Sequence, residues 1–239
     1  MANFFNAAVN IRKLKKRLLM VRSGLIFLLA PVFLFINGIC FGFDDSDFQY
    51  WNTEKAMWKI NNKWKAALEE EFRYGDNAMD FYYQHSDLGL NYSGLADWLD
   101  IGLNYRGIFE EANNDWSYEN RPHINATFKT TWNEVSFSNR ARMEFRIRKG
   151  SEDKLRYRNK AAIKFPFKWS RFNVQPYTSC EMFLDFDSSE FTRNRVYVGL
   201  IGKVTDIFKF DIFYLLQTSK SSGGWKETNV FGTQLKFDL

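Results

Sequence analysis

Apolar and polar residues alternate over residues 135–167, and this stretch defines the pattern of the rest of the chain. Phe137 and Phe145 share one parity, whereas arginines such as Arg140 occupy the other. A period of two over more than ten residues predicts a β-strand, because successive side chains point to opposite faces. The alternation returns after a polar turn sequence at 149–153, so the two runs predict a hairpin with one apolar and one charged face.

The same period predicts strands along the chain from residue 48 to residue 239. The predicted strands are Phe48–Ile60, Lys63–Arg73, Asp80–Tyr92, Trp98–Phe109, Arg121–Trp132, Val135–Arg148, Lys154–Phe167, Arg171–Phe186, Thr192–Val204, Phe208–Thr218 and Glu227–Leu239. Each is long enough to cross a membrane obliquely, which takes about 9–11 residues. We therefore predict an all-β fold, a closed antiparallel barrel of the outer-membrane type with about 10–12 strands.

The odd number of predicted strands needs an explanation, because bacterial single-chain barrels usually have an even number. One possibility is that the first segment lies outside the wall, which leaves ten strands. The other is a further short crossing between Phe43 and Glu54, which makes twelve.

The predicted connections alternate in length. The short ones are Asn61-Asn62, Ser93–Asp97, Asn133-Glu134, Lys168–Ser170 and Thr205-Asp206, and the longer ones are Gly75–Met79, Glu110–Asn120, Lys149–Asp153, Asp187–Phe191 and Ser219–Lys226. Several tryptophans lie beside the short turns: Trp58, Trp64, Trp98, Trp132 and Trp169. Short periplasmic turns, longer external loops and aromatic girdles are typical of outer-membrane barrels.

The alternation leaves open which face is enclosed, because a soluble barrel around an apolar ligand has one apolar face too. Arginine pairs with carboxylates through a planar fork, so a ring of Glu and Arg can satisfy itself inside a narrow barrel. We therefore interpret the charged face as the lumen. The predicted lumen-lining residues are Glu69, Glu71, Arg73, Asp87, Arg106, Arg140, Arg142, Glu144, Arg146, Arg156, Arg158, Lys160, Glu181 and Arg195.

The arginine-rich strands 135–148 and 154–167 have two interpretations. In the structural one, their cations pair across the lumen with Glu69, Glu71, Glu181 and Asp185. In the functional one, they form a cationic strip that favours anionic solutes in a pore.

The last strand ends at the chain terminus with apolar residues on one face. We expect Phe231, Leu235, Phe237 and Leu239 to form the signal by which the barrel-assembly machinery recognises its substrates. The terminal Leu departs from the aromatic residue that is usual at this position.

Residues 1–42 have the pattern of a signal peptide. A basic segment precedes the twelve-residue apolar run Leu25–Ile36, which is too short to span a bilayer as a helix. We expect cleavage near Gly42, which leaves residues 43–239 as one barrel domain; a start at Met20 and an uncleaved anchor are alternatives. Export would direct the protein to the outer membrane of a bacterial cell.

The net positive charge of the chain comes from residues 1–42. It carries six basic and no acidic residues, so the formal charge of +5 for the whole chain becomes −1 for residues 43–239. A nucleic-acid partner therefore loses its main support. Without the leader Cys180 is the one cysteine, which excludes an internal disulfide and favours a packing role.

The chain offers little for catalysis. His85 and His123 are the only histidines, and His85 is followed by Ser86, which alternation places on the opposite face. Two histidines and one cysteine do not supply the converging ligands of a metal site. We predict a protein that is not an enzyme and has no metal or cofactor, with an enzyme acting on envelope lipids as an alternative.

Several phrases of the sequence form a recognisable set: Leu68–Asn77, Asp80–Tyr92, Trp98–Arg106, Tyr118–His123, Phe137–Arg142, Arg156–Lys160 and Asn194-Arg195. This set resembles a bacterial family known as domain of unknown function 2490, which is similar to small outer-membrane β-barrels. The resemblance implies an outer-membrane barrel and brings no catalytic residues. We expect a monomer in contact with outer-membrane lipid, acting as a narrow channel or a structural barrel, with a secreted soluble barrel as a further alternative.

Overall fold

The computed structural model describes residues 47–112 and 115–239, which form eleven β-strands. The strands are β1 Asp47–Lys59, β2 Trp64–Gly75, β3 Asp80–Ala96, β4 Leu99–Ala112, β5 Asp115–Trp132, β6 Val135–Arg148, β7 Lys154–Lys164, β8 Gln175–Asp185, β9 Glu190–Lys203, β10 Phe208–Ser221 and β11 Gly224–Asp238. The predicted signal peptide, residues 1–42, lies outside the described residues. Within the described residues, no helix is long and apolar enough to cross a membrane.

The strands form one closed barrel in which neighbours in the chain pair antiparallel. The barrel is closed by β1 and β11, which run parallel, with Tyr50 opposite Phe231 and Asn52 opposite Thr233. The predicted all-β barrel is therefore confirmed, and its strand number lies within the predicted range.

Both explanations of the odd strand number are wrong for the described residues. β1 is a full member of the wall, because it pairs with β2 on one side and with β11 on the other. In an up-and-down barrel with an odd number of strands, the first and last strands point in the same direction. Parallel hydrogen bonds then satisfy both edges and leave none exposed.

This topology places the two ends of the sheet at opposite ends of the barrel. Asp47, at the start of β1, accepts a hydrogen bond from the backbone N–H of Asn77 at 3.3 Å. Leu239, after the end of β11, accepts one from the backbone N–H of Lys59 at 2.9 Å. We call the end at which β1 begins the upper end and the end at which β11 finishes the lower end.

The predicted alternation of short and long connections is wrong. Among the described residues, the upper connections are 76–79, 149–153, 186–189 and 222–223, and the lower ones are 60–63, 97–98, 133–134, 165–174 and 204–207. The longest connection thus lies at the lower end. Two segments expected as long loops continue the strand ladder, as far as the pairs Ala112–Asp115 and Ser221–Gly224.

The strands β7 and β8 are shorter than predicted. β7 ends at Lys164 rather than Phe167, and β8 begins at Gln175 rather than Arg171. Pro166 has no N–H to donate to a ladder, so it ends the pairing there. The intervening segment keeps a single bridge between Trp169 and Val174.

The two faces of the wall differ in composition. Large apolar side chains lie exposed on the outer face, for example Phe145 with 51% exposure, whereas Arg142 on the opposite parity has 6%. An aromatic and aliphatic cluster also fills part of the enclosed side, beside β1 and β8 to β11: Trp51, Tyr177, Tyr197, Leu215 and Val230. Much of the rest of the enclosed side carries charged and amide side chains, with a few buried apolar residues such as Ile108 and Phe183 among them.

Candidate functional site

One group of enclosed charges lies on β1 to β5 and is balanced. Its members are Lys55, Glu69, Glu71, Arg73, His85, Asp87, Arg106 and His123. Glu69 contacts Lys55 at 2.9 Å and Arg106 at 3.2 Å, and Arg106 also bonds Asp87 at 2.7 Å. Three carboxylates thus face three permanent cations in this group, which we call the balanced network.

A second group lies on β4 to β9 and is not balanced. One continuous chain of salt bridges joins eight arginines to four glutamates: Arg121, Arg140, Arg142, Arg146, Arg148, Arg156, Arg158 and Arg195 with Glu110, Glu119, Glu144 and Glu181. We call it the cationic network. Arginine suits such an arrangement because its planar fork can bond two carboxylates at once.

Glu144 is the centre of the cationic network and has 0% exposure. Arg156 and Arg158 bond it at 2.7 Å and 2.8 Å, and Arg142 and Arg121 lie at 3.5 Å and 4.0 Å. The strand register explains this position, because Glu144 pairs directly with Arg156 on β7.

Glu181 and Glu119 extend the network on either side. Glu181 bonds Arg158 at 2.8 Å and Arg140 at 3.1 Å. Glu119 bonds Arg121 at 2.5 Å and Arg146 at 2.9 Å. Every arginine of the strip on β6 and β7 therefore reaches a carboxylate on its own or a nearby strand.

A row of amides joins the two networks. Arg142 donates from Nε to Asn125 at 2.6 Å, Asn125 donates to Asn104 at 2.9 Å, and Asn104 donates to Asp87 at 2.8 Å. These side chains lie on the enclosed face of β3 to β6. The ionic part of the interior is thus one connected set of hydrogen bonds, and such sets hold side chains in a single arrangement.

Arginines also stack on two enclosed aromatic rings. The guanidinium carbon of Arg73 lies 3.7 Å from the ring centre of Trp51, and that of Arg195 lies 4.8 Å from the same ring. Phe183, with 1% exposure, stands between Arg158 on β7 and Arg193 on β9 in the register. These contacts connect the ionic part of the interior to the apolar cluster.

The structure places the predicted lumen-lining residues as follows. Nine are buried: Arg73, Asp87, Arg106, Arg142, Glu144, Arg156, Arg158, Glu181 and Arg195. Five are partly exposed: Glu69, Glu71, Arg140, Arg146 and Lys160. The ammonium of Lys160 lies 3.8 Å from the ring centre of Tyr197.

The predicted pairing of the arginine strip with Glu69, Glu71 and Asp185 is wrong. Glu69 and Glu71 belong to the balanced network, and Asp185 forms no salt bridge with the described residues. The predicted pairing with Glu181 is confirmed. The other contacts of the strip are with Glu119 and Glu144, because side chains reach their own and nearby strands more easily than they cross the barrel.

Sequence reasoning missed several members of the networks. Glu119 falls in a segment expected to be a loop, and Lys55, Asn104 and Asn125 were not singled out. Their parity was a usable signal, because Glu119 continues the enclosed face of Arg121 in steps of two residues.

The outer face also carries a small group of polar side chains on β1 to β3. Glu54 and Glu70 are directly opposite each other on β1 and β2. The Ser86 hydroxyl donates to Glu70 at 2.7 Å. Beside them lies an open groove of about 310 Å³, lined by Leu68, Ser86, Leu88, Tyr105, Gly107, Phe109 and Tyr118.

The Asn-Arg phrases of the sequence are divided between the two faces. Asn139 and Asn159 donate to each other at 2.9 Å on the outer face, whereas Arg140 faces Glu181 inside. Asn194 accepts a contact of 3.4 Å from the thiol of Cys180, which is buried and free. The side-chain amides of Asn139 and Asn159 therefore satisfy each other's hydrogen-bonding groups on the outer face.

Neither histidine meets a serine among the described residues. His85 contacts Tyr83 at 3.1 Å and Glu69 at 3.4 Å, and His123 contacts the Arg121 carbonyl at 3.2 Å. Ser86 lies on the outer face with Glu70. No group of three or more potential metal ligands occurs in the described part of the chain.

The residues of the predicted assembly signal lie on the outer face of the last strand. Phe231 and Phe237 are exposed there, Leu235 is partly exposed, and Leu239 follows the end of β11.

Fold and interior together define a closed β-barrel with a largely apolar outer face and an interior that is partly ionic and partly apolar. Residues 48–228 match the family described as protein of unknown function (DUF2490), and the chain belongs to that family. Neither the comparison with curated proteins nor that with solved structures gave a match.

Proposed function

We propose that the protein is an integral outer-membrane barrel whose interior is closed by its own side chains. The observation that carries this proposal is the distribution of side chains: large apolar residues lie exposed outside, and charged residues are enclosed. In water this distribution would leave a large hydrophobic surface exposed, which is unusual for a soluble protein and unfavourable in free energy. In a bilayer the same wall contacts hydrocarbon.

The ends of the sequence support this location. We infer that residues 1–42 are a signal peptide, and that Phe231, Leu235, Phe237 and Leu239 are recognised by the barrel-assembly machinery. The barrel then contacts outer-membrane lipid as a monomer.

The packing of the interior favours a structural barrel over an open pore. Glu144, Phe183, Leu215 and Val230 are at most 1% exposed, and they belong to both the ionic and the apolar part of the interior. An open channel would leave such side chains in contact with water.

Cell fractionation tests the proposal. We expect recovery with the outer membrane, extraction only by detergent, and faster gel migration of the unheated sample because the barrel stays folded. Recovery in the periplasm or the medium without detergent would favour a secreted soluble barrel instead.

A narrow anion-selective channel is the second candidate, and the arginine excess of the cationic network favours it. In planar bilayers, a channel would give discrete conductance steps that Arg142→Ala changes and Lys149→Ala, in an upper connection, does not. A closed barrel would give no steps with any of these proteins.

We propose no catalytic role for the histidines, since both are held by interior contacts. A double variant, His85→Ala with His123→Ala, should leave the envelope lipids unchanged. A changed lipid profile, with normal amounts of the variant in the membrane, would instead support a lipid-modifying enzyme.

A further inference from the structure

The cationic network has more positive than negative charge, and its surplus is enclosed. Eight arginines share four glutamates, whereas the balanced network on β1 to β5 has equal numbers of carboxylates and permanent cations. Unpaired charge removed from bulk water is costly. A bound anion would compensate it.

The arginines around Phe183 indicate where such an anion fits. The guanidinium carbons of Arg158, Arg195, Arg156 and Arg193 lie 4.5, 4.9, 5.3 and 5.6 Å from the ring centre. Four cations therefore surround one neutral ring, and only two of them are bonded closely to glutamates.

Arg156 and Arg158 are the two that glutamates hold, at 2.7 and 2.8 Å. Arg195 reaches Glu181 only at 3.7 Å and donates from Nε to Gln217 at 2.8 Å. Arg193 donates from Nε to Ser219 at 3.1 Å and forms no salt bridge with the described residues. The terminal nitrogens of Arg193 thus make no hydrogen bond within the described part of the chain.

Of Arg193 and Arg195, Arg193 is nearer the upper end of the barrel and is the more exposed. Arg193 is partly exposed and follows the start of β9 at Glu190, next to the connection 186–189. Arg195 lies two residues further along the same face, so both guanidinium groups point into the enclosed space. A small anion that enters from the upper end would therefore meet Arg193 before the buried centre at Glu144.

We propose that Arg193 and Arg195, which lie beside Phe183, form a binding site for a small phosphate-type oxyanion. A guanidinium has five N–H donors, and its fork matches two oxygens of one phosphate. A tetrahedral oxyanion has several oxygens and can accept directional hydrogen bonds from two arginines at once. A single-atom anion such as chloride offers no such directional match. A lipid headgroup is excluded as the source, since the site lies on the enclosed side of the wall.

The test is the thermal unfolding of the full chain in detergent micelles, titrated with inorganic phosphate against sodium chloride at equal ionic strength. We expect phosphate to raise the unfolding temperature in a saturable way, because a ligand that binds only the folded state stabilises it. Arg193→Gln should weaken the apparent phosphate affinity about tenfold or more, since a charge-assisted hydrogen bond contributes about 1.5–3 kcal/mol. Within the described residues, the Nε bond to Ser219 is the only side-chain hydrogen bond of Arg193 that the variant loses, so the fold should persist.

Lys164→Gln is the matched control. Lys164 is another partly exposed cation on β7, and it forms no salt bridge with the described residues. The variant removes the same charge near the lower end and should leave the phosphate affinity unchanged.

Two outcomes would overturn the site: no stabilisation by phosphate beyond that by chloride, or equal weakening by the two variants. Equal weakening would mean that only the total charge matters. The titration does not depend on where the cell keeps the protein, so its result stands apart from that of the fractionation.

Discussion

At the scale of single residues, Glu144 shows how many cations one buried carboxylate can stabilise. Four arginines lie within 4.0 Å of it, and it is fully enclosed. Glu144→Gln keeps the shape but leaves these guanidinium groups without their shared anion. We expect a loss of about 3–5 kcal/mol in the free energy of unfolding, measured by urea titration of the refolded protein.

Glu152→Gln is the control for this prediction, because Glu152 lies exposed in the connection 149–153 and forms no salt bridge with described residues. It should change the unfolding free energy little. An equal effect of the two variants would mean that Glu144 is not the centre of the network.

The pair Glu54 and Glu70 leads to a prediction of opposite sign. Like charges directly opposite each other on neighbouring strands repel, and here both lie on the outer face. Glu54→Gln removes the repulsion and leaves the bond from Ser86 to Glu70 intact. We expect the unfolding free energy to rise by about 0.2–1 kcal/mol in the same titration, and a decrease would show that the pair has a favourable partner.

Residue faces could be predicted from the sequence, but residue partners could not. Alternation assigns Arg142 and Glu144 to one face whatever the neighbouring strand does. The choice of partner depends on register, and a slip of two residues keeps every face while it exchanges every pair. For this reason the parity of Glu69 and Glu71 was useful, whereas their predicted pairing with the arginine strip was wrong.

At the scale of elements, the strand interiors were predictable and the strand ends were not. β4 and β5 continue up to Ala112 and Asp115, although the sequence between Glu110 and Asn120 is polar. Ladder hydrogen bonds require backbone groups rather than apolar side chains, so a polar hairpin can extend a strand. Conversely, Phe165 and Phe167 keep the apolar parity beyond the end of β7 at Lys164.

The seam between β1 and β11 is the element most specific to this barrel, and cross-linking tests it. Asn52 lies opposite Thr233 in the parallel register. Neighbouring strands bring Cα atoms to within disulfide range. A double variant, Asn52→Cys with Thr233→Cys, should therefore form a disulfide under mild oxidation, detected by mass spectrometry of the linked peptides.

The control pair is Asn52→Cys with Phe237→Cys, four residues further along β11 on the same face. It should not cross-link, because Phe237 lies opposite Ala56. A link in the control pair alone would mean another register, and no link in either pair would support a ten-strand wall without β1.

At the scale of the whole molecule, the odd strand number follows from closure rather than from any single strand. Each strand looked alike in the sequence, and the parallel seam leaves no local mark because its residues alternate as they would in an antiparallel pair. The general preference for even numbers pointed away from eleven strands. Only the pairing of β1 with both β2 and β11 determines the number.

The orientation of the barrel is the remaining prediction, and it follows from the same topology. If the barrel lies in the outer membrane as proposed, assembly from the periplasm would leave the end of the last strand on the periplasmic side, so the lower end, with Leu239, should face the periplasm. The upper connection 149–153 should then face the medium. In intact cells a membrane-impermeant maleimide should label Ser151→Cys, whereas Asp97→Cys, in a lower turn, should react only after lysis.

The wild-type protein serves as the background for this labelling, because Cys180 is buried and Cys40 belongs to the predicted signal peptide. The reverse pattern would mean that the upper end faces the periplasm and that the last strand does not end there. Labelling of both positions in intact cells would contradict a spanning barrel altogether, since a wall closed by lipid separates the two ends. Because β1 starts at the upper end, labelling of Ser151→Cys alone in intact cells would also put Asp47 on the outer side of the membrane.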